Sequence, residues 1–216
     1  MPFLFDPAPP VTVPVDGAGD YAVRRIFCIG RNYAAHAAEM GVEADRAAPF
    51  FFTKSPCHVV APGDWTYPAG TSDLHHEIEL VVALDPDGEV CAAGAGLDMT
   101  RRDLQAVAKE RRHPWSVAKD FEGSAILAPM SRCKESDLAS LEVTLAVNGT
   151  ERQVGSTRDM IHDLPALLAH LRDLYTLGAG DLVMTGTPAG VGAVEVGDRL
   201  SGRVGGFAPL EVTVVE

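Results

Sequence analysis

Residues 75–82, HHEIELVV, read as a strand rich in Val, Ile and Leu, yet Glu77 and Glu79 flank Ile78 within it. On a strand, residues two apart point to the same side. One face of a buried-looking segment therefore carries two like charges that repel each other, and any fold holding this strand must compensate them. DPDG at residues 85–88 is a strong turn signal, and the strand candidate after it ends at Asp98. A two-residue loop at Asp87-Gly88 sets Glu77 directly across from Asp98. A four-residue loop shifts the pairing by two and keeps the acids on one face. A three-residue loop with a bulge turns Asp98 away unless the strand end turns it back. Two of these registers gather Glu77, Glu79 and Asp98 at one end of a hairpin.

Glu79 alone fits a half-exposed strand facing water. Three acids converging beside apolar runs instead point to a divalent cation that relieves their repulsion. Oxygen-only ligation suits Mg²⁺ or Mn²⁺, and the lack of thiolates disfavours zinc. His76 points away from the acids by strand parity. His75 shares their face and stays a candidate ligand, with a supporting or structural role preferred.

The 216 residues suffice for one large core. We expect an N-terminal arm with an edge strand over residues 1–20 and a single domain over 21–216. Strand candidates outnumber helices and do not alternate with them. This predicts a mixed α+β fold, mainly β and mainly antiparallel, with few short helices. The helices fall at RNYAAHAAEMG, with a stop at Gly41, at TRRDLQAVAKERR, with a capping-box-like Thr100 and Asp103, and at MIHDLPALLAHLRDLYTLG, ending near Gly178. Asn148-Gly149 marks the tip of a further hairpin.

A net charge of −12 argues against nucleic acid and anionic membranes as partners. It permits an anionic substrate wherever a metal or basic cluster inverts the local field. The N-terminus lacks the pattern of a signal peptide, no apolar run spans a bilayer, and Cys28, Cys57, Cys91 and Cys133 are scattered. A cytoplasmic protein with reduced thiols is expected.

His36 and Glu39 share a helix face at a spacing of three. A carboxylate that orients an imidazole and raises its basicity suits a general base for water, although a surface ion pair reads the same way. Lys119, in PWSVAKDF, is either a snorkelling side chain or a cation held for an anionic intermediate. MTGTPAGVG sets Thr185 and Thr187 in a turn whose N–H groups suit an anion, without the ending of a nucleotide-binding loop.

Together CIGRNYAAHAAEMG, PFFFTKSP, DLHHEIELVVAL, GLDMTRRDLQ, PWSVAKDF and VMTGTPAGVG resemble the fumarylacetoacetate hydrolase family, in that family's order. They are most similar to its short-form acylpyruvate and fumarylpyruvate hydrolases. The resemblance implies a β-sandwich-like roll, assembled as a homodimer. It implies Mg²⁺ or Mn²⁺ on Glu77, Glu79 and Asp98, and catalytic roles for His36, Glu39 and Lys119, with His36 and Glu39 on a lid segment. Arg102, Gln105 and Thr187 match positions that hold the ligand carboxylate. Arg31, Arg101 and Lys54 are candidates for a distal carboxylate.

The implied activity is metal-dependent hydrolysis of the C–C bond of a β-diketo acid, such as fumarylpyruvate to fumarate and pyruvate, in aromatic catabolism. Oxaloacetate decarboxylation and isomerisation of a 2-oxo diacid are the alternatives on the same scaffold. A non-catalytic, metal-stabilised binding module predicts the carboxylates but leaves the histidine, acid and lysine set unexplained.

Overall fold

The computed structural model describes residues 3–41 and 48–216. Its centre is a large mixed sheet in the order Phe50–Lys54, Arg25–Gly30, Asp181–Met184, Ile78–Leu84, Val90–Asp98, Ala125–Leu127, Val59–Val60. A five-stranded sheet packs on it, in the order Thr150–Ser156, Glu142–Val147, Arg199–Val204, Leu210–Val215, Gly63–Thr66. Most neighbours are antiparallel, but Asp181–Met184 runs parallel to Arg25–Gly30, Ala125–Leu127 to Val59–Val60, and Leu210–Val215 to Gly63–Thr66. Among the described residues there are four short α-helices: α1 (Ala34–Glu39), α2 (Arg102–Glu110), α3 (Ser116–Lys119) and α4 (Leu164–Leu174). None among the described residues is long and apolar enough to cross a membrane.

The unbroken apolar run of residues 80–84 follows from burial on both faces of the central strand. Leu80, Val82 and Leu84 join Leu145, Leu200 and Val212 in the core between the two sheets, with Leu167, Leu168 and Leu171 of α4. Val81 and Ala83 face the opposite way, into a smaller core with Ile26, Met184, Val13 and Val15. Val13 and Val15 belong to an N-terminal hairpin, Thr12–Val15 paired with Gly19–Ala22, that covers this second face. Glu79 has the parity of Val81, so the acids lie on the side away from the sandwich core.

The hairpin after Ile78–Leu84 takes the three-residue form, with Asp85 paired to Glu89 and Gly88 at φ 77°. This loop by itself turns Asp98 to the wrong face. Pairing then steps from Leu84↔Val90 to Ala83↔Ala92, so Cys91 is an extra, bulged residue. Two residues opposing one shift the register again, and Asp98 N–H donates to the Glu77 carbonyl at 2.9 Å. Against expectation, the three-residue loop with its bulge keeps Asp98 on the face of Glu77 and Glu79.

HHEIELVV is also not one strand. Leu74–His76 pairs with Thr100–Arg101 and Gly192–Ala193 in a small separate sheet, and the chain changes sheets at Glu77. Buried Gln153 fixes the crossing: its Oε1 accepts from Ile78 N–H at 3.2 Å and lies 2.8 Å from His76 Nδ1. The predicted hairpin at Asn148-Gly149 forms, with both residues at positive φ as a type I′ turn requires.

Two helix expectations change. Thr100 is pinned in a strand opposite His75, so no capping box forms with Asp103, whose carboxylate takes Thr71 Oγ1 at 2.6 Å and Ser72 N–H at 3.0 Å. The last helix begins only at Leu164, where Asp163 caps Ala166 N–H at 3.0 Å and Pro165 occupies the first turn. It ends at Leu174, short of Gly178.

Asp181 ties the second core together. Its buried carboxylate accepts from Arg24 at 3.1 Å, Arg25 at 2.6 Å and Gly178 N–H at 3.0 Å. Burial pushes its pKa up, but Arg25, Gly178 and Arg24 outweigh that and hold it below the usual carboxylate range. A depressed folded pKa contributes stability above the unfolded value, roughly pH 4, and loses it as pH falls through the folded one. Asp181→Asn should cost about 2 kcal/mol at neutral pH, less than for a fully buried pair because both arginines reach solvent. Urea melts of wild type and variant should converge toward acid; a constant gap from pH 7 to 3 contradicts the assignment.

Candidate active site

The acids gather where three segments meet. Asp98 ends its strand, Glu77 sits at the crossing between sheets and Glu79 lies just inside the next strand. One oxygen from each lies within 4.8 Å of the others, and all three residues are buried. His75 is not in this cluster: its Nε2 lies 2.9 Å from Asp73 Oδ1. His76 is engaged by Gln153.

Three cations answer the acids. Lys119, 3% exposed at the end of α3, donates to Glu77 Oε2 at 2.8 Å and Asp98 Oδ2 at 2.7 Å. It does not snorkel. Burial lowers its pKa, but Asp98 and Glu77 reverse this, so it stays charged. Arg102 donates to Glu77 Oε1 at 2.5 Å and to Gln105 Oε1 at 2.7 Å. Burial acts to raise the Glu77 pKa, and Lys119 and Arg102 override it, leaving the carboxyl well below its ordinary value. Lys54 Nζ lies 2.9 Å from Asp98 Oδ1.

Lys54 is thus not a ligand for a distal carboxylate. The inward end of Phe50–Lys54 buries it beneath the acids, where it also donates to the Lys119 carbonyl. The next residues clasp as well: Asp120 accepts from Ser55 Oγ at 2.8 Å and lies 2.7 Å from His58 Nδ1. This fixes the backbone that carries Lys119. Arg101, the other distal candidate set aside, stacks over Phe121 at 4.3 Å and donates to the Ala69 carbonyl at 2.9 Å.

Glu79 has no cationic partner among the described residues. Its pKa is pushed well up, first by burial and then by Asp98 and Glu77. Gly186 N–H donates to its Oε2 at 2.8 Å. Gly186 holds φ 97°, and a Cβ there would press on Asn32, so the position requires glycine. Asp98 Oδ1, for its part, receives no well-directed hydrogen bond, because Lys54 turns toward carbonyl oxygens. An unpaired acid, an open oxygen and a donor set of oxygens fit a hard divalent cation.

His36 and Glu39 line up as their spacing predicts, with Nδ1 3.1 Å from Glu39 Oε2. Gly190 N–H donates to both Glu39 oxygens, at 3.1 and 3.2 Å. The anions cradled by the glycine turn are therefore the protein's own Glu79 and Glu39. His36 is buried and lines the same cleft as the acids, Arg102, Gln105 and Thr187. Thr187 donates its hydroxyl proton to the Ile78 carbonyl at 2.7 Å and accepts from Gln153 at 2.7 Å. Arg31 lines the cleft beside Trp115. Residues 42–47, which follow the expected lid helix, lie outside the described residues.

Removing the repulsion at Glu79 without removing its shape separates metal binding from folding. Metal-free Glu79→Gln should be at least as stable as wild type. Its affinity for Mn²⁺, read as a concentration-dependent rise in Tm, should fall by at least the roughly tenfold seen when ligand-supporting groups are lost. An equal Mn²⁺-induced rise in both proteins contradicts the site.

The fumarylacetoacetate (FAA) hydrolase C-terminal family matches residues 25–215. The crystal structure of a fumarylpyruvate hydrolase from Pseudomonas aeruginosa, in complex with Mn²⁺ and pyruvate, superposes with a TM-score of 0.93 at 39% identity, covering 99% of both chains. The fumarylpyruvate hydrolase of a Ralstonia species is 38% identical over 188 residues, 81% of this chain and 98% of that one. A mitochondrial oxaloacetate decarboxylase of Dictyostelium discoideum is 37% identical over 200 residues, 85% of this chain and 90% of that one. With such identities across most of each chain, the protein belongs to the fumarylacetoacetate hydrolase family.

Proposed function

We propose that this enzyme hydrolyses the C–C bond of an acylpyruvate, fumarylpyruvate being the best fit, with Mg²⁺ or Mn²⁺ held by Glu77, Glu79 and Asp98. The observation that carries the reading is the His36–Glu39 pair in the cleft of the three acids. Decarboxylation needs no water-activating base; hydrolysis does. The bound cation would supply Lewis-acid polarisation of the 2-oxo acid's oxygens.

The chain's own groups do the rest. Arg102 and the Gln105 amide, with Thr187 beside them, orient the substrate carboxylate in the cleft. Glu39 holds Nδ1 of His36, which leaves Nε2 to take a proton from water. The resulting hydroxide adds to the carbonyl carbon of the acyl group. The bond to the pyruvate methylene then breaks, its electron pair leaving as pyruvate enolate. The proton on His36 returns to that carbon, giving pyruvate and a carboxylic acid. Lys119, kept charged by its acidic neighbours, stands where negative charge develops.

The Dictyostelium relative supports a second reading, oxaloacetate decarboxylation, in which the same cluster stabilises the same enolate. Comparing kcat/KM for fumarylpyruvate, acetylpyruvate and oxaloacetate decides between them, and turnover of oxaloacetate alone would overturn the hydrolase. His36→Ala should retain Mn²⁺ and oxalate binding while hydrolysis drops by about 10² to 10⁴. Hydrolysis at the wild-type rate would remove His36 from the mechanism.

A further inference from the structure

The cleft has a second cationic end that the acids do not neutralise. Arg102, Gln105 and Lys109 occupy one face of α2 at a spacing of three and then four, and all three line the cleft. Arg102 is bound to Glu77, and Lys109 lies two turns away, roughly 10 Å along the helix axis. Its Nζ is 5.3 Å from the centre of the Trp115 ring, and the Arg31 guanidinium lies 5.6 Å from the same ring.

Neither cation has a carboxylate partner among the described residues, whereas Lys54, Arg102 and Lys119 all do. Placing two like charges on one indole costs energy that the aromatic contacts only partly offset. Burial first, then Arg102 and Arg31, push the Lys109 pKa down to about 8. Arg31 also holds a left-handed backbone, φ 59°, that residues other than glycine rarely adopt. Such strain collects where a side chain is aimed for function. The cleft walls also include Ile29, Phe52 and Trp115, which suits a flat, apolar chain.

We propose that Lys109, with Arg31 across Trp115, receives the far carboxylate of an elongated 2-oxo diacid, and that Lys109 sets the preference for diacids over monoacids. This rests on the proposed function for the position of the 2-oxo end, beside the acids and Arg102.

The test is calorimetry of the Mn²⁺-loaded protein with 2-oxoheptanedioate and 2-oxoheptanoate, which match in chain length and differ in the terminal carboxylate. Wild type should bind the diacid more tightly by on the order of tenfold to a hundredfold, the worth of a charge-assisted hydrogen bond. Lys109→Met, which keeps the stem over Trp115, should bring that ratio close to one, and Lys109→Arg should recover most of it. A merely structural lysine would weaken both ligands alike and leave the ratio where it was. A wild-type ratio near one, or an unchanged ratio in Lys109→Met, overturns the assignment. Failure to hydrolyse fumarylpyruvate while the diacid preference persists would instead sink the hydrolase reading and leave Lys109 in its role.

Discussion

Three buried carboxylates with oxygens inside 4.8 Å of one another are the constraint around which this protein is built. With all three ionised, each like-charge pair would cost about 3 to 4 kcal/mol at an effective dielectric of 20, or about 10 kcal/mol for three pairs. That is comparable to the whole stability of a typical domain. The neighbourhood is arranged to meet it. Lys119 and Lys54 come from segments clasped through Asp120, Arg102 from the start of α2, and a glycine N–H from the turn after Asp181–Met184. The compensation is incomplete at Glu79, and that incompleteness leaves the site poised for a cation.

The same arrangement reconciles an acidic chain with the anionic substrate proposed for it. The net charge of −12 is a property of the whole chain, whereas the cleft balances its acids with Lys54, Lys119 and Arg102 and then adds Arg31 and Lys109. Screening confines the global charge to about 10 Å in ordinary salt. A ligand inside the cleft therefore experiences the local cations. A divalent ion on the carboxylates makes that field more positive still.

Much of this was legible in the sequence because strand parity is a strict rule. Glu77, Glu79 and Asp98 could be gathered from their spacing and a turn signal, and His36 with Glu39 from a helical spacing of three. What parity could not supply was the route. The three-residue loop and the Cys91 bulge cancel each other's effect on facing, and no local signal marks a bulge at that cysteine. The break at Glu77 depends on Gln153, some 75 residues further along the chain. Lys54 read as a free cation because nothing local says that its strand end points under the acids. Lys109 carried no signal at all, since the cleft-facing side of α2 is defined only once Arg102 is seen on Glu77.

Locating manganese by anomalous diffraction from Mn²⁺-loaded crystals tests the central claim most directly. The account predicts one strong peak within ligating distance of the Glu77, Glu79 and Asp98 carboxylates. No peak there, with Lys119 still bonded to Glu77 and Asp98 in saturating Mn²⁺, would contradict it.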